Sequence, residues 1–99
     1  MRAHEICERA AGLVEGDRNL QHGEKETNFR ATADLWNTFL GSRLSVQIEP
    51  HEVALMMVLL KVSRVMAGKH NPDNYVDMAG YAGCGGELAI LPKAAGPNG

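Results

Sequence analysis

The chain lacks most of the features that announce a function. No long basic run appears and the net charge is −2, which argues against broad binding to a phosphate backbone. Only two cysteines are present, Cys7 and Cys84. They stand at opposite ends without metal-ligand spacing, so they read as a reduced, intracellular pair. The first residues, MRAHEICERA, have no apolar core of the kind a signal peptide needs. The longest apolar stretch, Val53 to Leu60, is far too short to span a bilayer. The expectation is a soluble, cytoplasmic protein. There is no P-loop, dinucleotide fingerprint, zinc knuckle or internal repeat. Cys84 lies among Gly83, Gly85 and Gly86 with no base beside it, so no nucleophile stands out.

What is present is a helical pattern. Ninety-nine residues, 44% of them hydrophobic, make one domain with a small core that oligomerisation would help to stabilise. Ile6, Ala10, Leu13 and Val14 mark one face of a first helix over about 3–15, which Gly16 is expected to end. Residues 16–25 read as a polar loop. Phe29, Ala33, Trp36 and Leu40 repeat with helical period over about 27–40, and Gly41 closes that segment. Trp36 fits the apolar face better than a stacking role. Leu44, Val46 and Ile48 alternate as a strand would, but a lone strand has no partner, so an extended connection is expected.

The third helix has the clearest start. Pro50 suits a first turn, where its missing N–H needs no acceptor. Glu52 puts negative charge at the positive end of the dipole. From Val53 to Met66 apolar residues nearly encircle the helix, as a central bundle helix requires, and Gly68 stops it. Pro72 and Asp73 begin a fourth helix that reaches toward Ile90. Its glycines, Gly80, Gly83, Gly85 and Gly86, each cost about 1 kcal/mol relative to alanine. They also allow close approach of another helix or a ligand. The predicted fold class is all-α: a compact bundle of about four helices over 1–91, completed by oligomerisation, with a flexible tail at 92–99.

Charges inside the apolar third helix carry the chemical interest. Lys61 and Arg64 share a side with Met57, and on the fourth helix Asp73, Asp77 and Tyr81 share another at spacings of four. The short loop between them makes the two helices antiparallel neighbours. Arg64 is expected to meet Asp73 or Asp77, with Lys61 deeper toward Tyr81. One reading is a structural ion-pair network, because buried charges must be paired. The other is an anion site in which Lys61 and Arg64 grip phosphate and Asp77 orients them. Asp73 and Asp77 also have the spacing to share a magnesium ion, with His70 nearby for a softer metal, although Asp73 competes as a helix cap. The loop carrying His22 and Gly23 leads to Asn28, and His22 or Asn28 is placed to touch a base or sugar. A helix-turn-helix is disfavoured, since Asp73 and Asp77 on the recognition helix would repel phosphate.

Several motifs resemble those of a family of small phage and prophage proteins of unknown function. They are Gly16-Asp17-Arg18, His22-Gly23 leading to Asn28-Phe29, Leu35-Trp36, Val53 to Met57 running on to Lys61-Val62-Ser63-Arg64, Asn74, and Asp77 to Tyr81. The resemblance spans roughly residues 5 to 89. That family is distantly similar to the all-α nucleoside triphosphate pyrophosphohydrolases of the MazG type. That similarity implies an oligomeric helical protein, a nucleotide pocket between helices, magnesium dependence and cleavage between the α- and β-phosphates, with Asp77 at an acidic position of the last motif. The chain departs from it where the third helix carries Lys61 and Arg64 instead of an E-x-x-E or E-x-x-D face. Asp73 and Asp77 remain, with Glu24, Glu49 or Glu52 as further acids. Two functions follow from the resemblance and the charges together. One is a nucleotide-binding protein that hydrolyses its ligand with magnesium. The other is a non-catalytic phage protein that sequesters a nucleotide signal or inhibits a host defence protein.

Overall fold

The computed structural model describes residues 1–20 and 24–90, for 16–20 and 24 the backbone only. Its elements are α1 (Ala3–Leu20), α2 (Glu24–Leu40), a 3-10 turn (Gly41–Arg43), α3 (Pro50–Ala67) and α4 (Pro72–Ile90). Among the described residues there is no strand, and the fold is all-α. No described helix is long and apolar enough to cross a membrane. The expected tail at 92–99 and His22 lie outside the described residues.

α3 and α4 form the central antiparallel pair; α1 lies along α4 and α2 along α3. The start of α3 follows the sequence closely. The Glu49 N–H donates to Glu52 Oε1 at 2.8 Å, the arrangement by which an N3 glutamate satisfies a donor at a helix start. At the other end the Gly68 N–H reaches the Arg64 carbonyl. Between α2 and α3 the 3-10 turn leads into an irregular connection with no strand, extended at Leu44 and Glu49 and bent at Ser45 and Val46. Asn37 takes the place of a strand partner: its Nδ2 donates to the Ile48 carbonyl at 3.0 Å and its Oδ1 accepts from the Ile48 N–H at 2.7 Å.

Three expectations are corrected. α1 does not stop at Gly16 but runs to Leu20, because one glycine costs only about 1 kcal/mol in a helix interior. α2 begins at Glu24, which draws Lys25 out of the expected loop and onto a helix. The third correction concerns burial. α3 is not enclosed on all sides: only Val53 and Ala54 of its residues are buried. The described core is Ala10, Ala33, Val53, Ala54, Val76 and Cys84, and its largest fully buried side chains are two valines. Gly85 brings the central pair together, since a Cβ there would stand 3.3 Å from the Ala54 Cβ.

Candidate functional site

A groove opens between α1, α2 and α4. Its volume is about 370 Å³, within the range of small-molecule sites. Leu13 and Val14 form the α1 wall, Phe29 the α2 wall, and Val76 and Gly80 the floor. Polar groups enter from Lys25, Asn28, Asp77 and Tyr81. Phe29 and Tyr81 meet edge to face, with ring centroids 6.4 Å apart and planes at 88°, the preferred geometry of an aromatic pair. A smaller cavity, about 220 Å³, lies against the same Asn28, Phe29 and Tyr81 and extends toward Val53 and Met57 of α3.

Two ion pairs reach the groove, each through one member that lines it, Asp77 and Lys25, and α4 supplies the acid of each. Lys61 Nζ sits 3.0 Å from Asp77 Oδ2. Lys25 Nζ sits 2.6 Å from Glu87 Oε1. In both pairs the lysine is the more buried partner, at 16% and 14% side-chain exposure against 37% and 53% for the acids. Such lysines bury their aliphatic stems and keep the ammonium at the boundary with water.

The structure thus brings Asn28, Asp77 and Tyr81 to one groove and sets Lys61 against Asp77. Arg64 is exposed on α3, and among the described residues no carboxylate lies within ion-pair distance of it. Asp73 instead meets Arg9 of α1 at 3.3 Å, with both groups well exposed. Nor is Asp73 the cap of α4. Asn71 is, its Oδ1 accepting the Asp73 N–H at 3.0 Å, the usual asparagine cap to an N2 donor. Asp73 and Asp77, proposed from sequence as a metal pair, therefore each face a cation. Among the described residues no group of three potential metal ligands gathers. The Lys25–Glu87 pair leaves no signal in the sequence, because Lys25 falls in a polar stretch and Glu87 is 62 residues away.

These features define a helical domain with an inter-helical groove bounded by paired charges. The chain belongs to the family described as a domain of unknown function, DUF6378, which its residues 5–89 match. It is similar to the "Gene 55 protein" of Mycobacterium phage D29, 38% identical over 79 residues, covering 80% of this chain and 50% of the relative. The "Gene 55 protein" of Mycobacterium phage L5 is 36% identical over 78 residues, covering 79% and 48%. The resemblance to phage proteins of unknown function holds, and the chain spans about half the length of the curated relatives it matches. No solved structure matches it.

Proposed function

We propose that the groove between α1, α2 and α4 binds a phosphorylated small molecule, with a nucleotide as the class that fits it. The observation that carries this reading is the composition of the groove: apolar walls, an aromatic pair and a few convergent polar groups around about 370 Å³. A base would lie against Phe29 and Tyr81, and Asn28 offers both a donor and an acceptor to its edge. Phosphate would compete with Asp77 for Lys61 and with Glu87 for Lys25, whose acids already stand more open to water than the lysines do. Arg64, further along α3, would take an outer phosphate.

A distant similarity to MazG-type pyrophosphohydrolases would add magnesium and hydrolysis. The donor set does not fit a preassembled metal centre, because Asp73 and Asp77 are each engaged with a cation. No hydrolytic step is therefore assigned, and the reading is retention of the ligand, as in sequestration of a nucleotide signal. Calorimetric titration of the full chain with nucleoside mono-, di- and triphosphates, in magnesium and in chelator, tests it. Binding is expected to persist in chelator and to weaken at least tenfold in Lys61→Met and Tyr81→Leu. Absence of binding to every nucleotide, or variants that bind like the parent, would overturn it. Pyrophosphate release in magnesium would restore the hydrolytic reading.

A further inference from the structure

α3 carries an apolar stripe that nothing in the described chain covers. Leu55, Leu59, Val62 and Met66 are 51%, 65%, 36% and 81% exposed. Their spacings of four, three and four place them on one side of the helix, the spacing of a coiled-coil seam. Met56 flanks the stripe and is also exposed. We propose that this face is the interface between two copies of the chain, with the α3 helices antiparallel across a twofold axis.

Four observations select a second copy. First, the pattern reads the same from either end. The register that sets Leu55 against Met66 of the partner also sets Leu59 against Val62, and twofold symmetry makes both contacts twice. Second, that register brings Glu52, beside the start of α3, opposite Lys69, just beyond its end. Both are exposed, and the contact joins opposite charges. Third, the area is right. The four side chains expose on the order of 400 Å² of apolar surface, close to the non-polar half of a standard interface of about 800 Å² per partner. Fourth, the core needs it. A described core whose largest fully buried side chains are two valines gives a single copy little hydrophobic stabilisation.

Sedimentation equilibrium of the full chain at micromolar concentration reads the answer directly. The expected mass is twice the 10.7 kDa of one copy, falling to a single copy in Leu59→Glu with helical circular dichroism retained. If Leu59→Glu does not fold, the charge pair decides. Lys69→Glu, which leaves the Glu49–Glu52 contact intact, should weaken association at least fivefold, and Lys69→Gln should weaken it less. A parent chain that sediments as a single copy overturns the proposal. So does an assembly that Leu59→Glu leaves intact, or one indifferent to both charge variants.

Discussion

Lys61 reaches from α3 to α4 and sets its ammonium 3.0 Å from the Asp77 carboxylate, with the lysine largely buried and the acid more open. The two ends of this pair are therefore not equivalent. Lys61→Met keeps an apolar stem in place and leaves Asp77 where water can hydrate it, a loss of about 1 kcal/mol. Asp77→Asn leaves the Lys61 ammonium, on the less exposed side chain of the two, without its counter-charge, and the expected loss is about 2 kcal/mol. Urea denaturation of both variants checks the order. Equal losses would mean that the lysine is as well hydrated as the acid.

Gly85 and Gly86 are adjacent on α4 but should respond in opposite ways to alanine. A Cβ at Gly85 would stand 3.3 Å from the buried Ala54 Cβ and 3.5 Å from the His51 carbonyl oxygen. Neither atom belongs to a flexible side chain, so the helices must separate, and the gain in helix propensity is lost. Gly85→Ala should destabilise by about 1 kcal/mol. A Cβ at Gly86 meets nothing within 4 Å, so Gly86→Ala should stabilise by about 0.5–1 kcal/mol. Thermal melts of the two single variants separate these signs.

The contrast between those glycines shows where the sequence was legible. Helix boundaries set by local chemistry could be read: Pro50 with Glu52, Gly41, and Pro72 at the head of α4. The apolar face of α2 was also visible, since Ala33 is buried and Phe29, Trp36 and Leu40 are half-buried. What could not be read were outcomes decided across the fold. Lys61 and Arg64 both follow Met57 on one side of α3, and only the placement of α4 selects Lys61 for Asp77. Arg9 takes Asp73 from α1, far away in sequence. The apolar wrap of α3 read as burial, but the same residues serve equally well as an outward stripe, because hydrophobic periodicity does not say which molecule supplies the cover.

Asn37 is a residue whose role no sequence pattern suggested. Its side-chain amide closes two hydrogen bonds with the backbone of Ile48 and so holds the entry to α3 against α2. Asn37→Ala removes both bonds and leaves a partly buried donor and acceptor on Ile48 unpaired, at a cost of about 2 kcal/mol. Asn37→Asp keeps the acceptor for the Ile48 N–H but turns an oxygen toward the Ile48 carbonyl, so it should not recover the loss. Amide hydrogen exchange at Ile48, accelerated in both variants, gives a local readout beside the global stability.

Gly80 gives the sharpest test of where a ligand sits. It lines the groove, and a Cβ there would meet Val14 Cγ2 at 3.6 Å, an ordinary contact. Gly80→Leu should therefore fold, helped by about 1 kcal/mol of helix propensity, while the rest of its side chain occupies the groove beside Val14. Gly83, exposed on the same helix with open space around it, accepts leucine without entering the groove. The expected outcome is a drop of at least tenfold in nucleotide affinity for Gly80→Leu, equivalent to about 1.4 kcal/mol, with Gly83→Leu binding like the parent. Parent-like affinity in both variants would place the ligand elsewhere on the molecule, and an equal loss in both would point to a change in α4 as a whole.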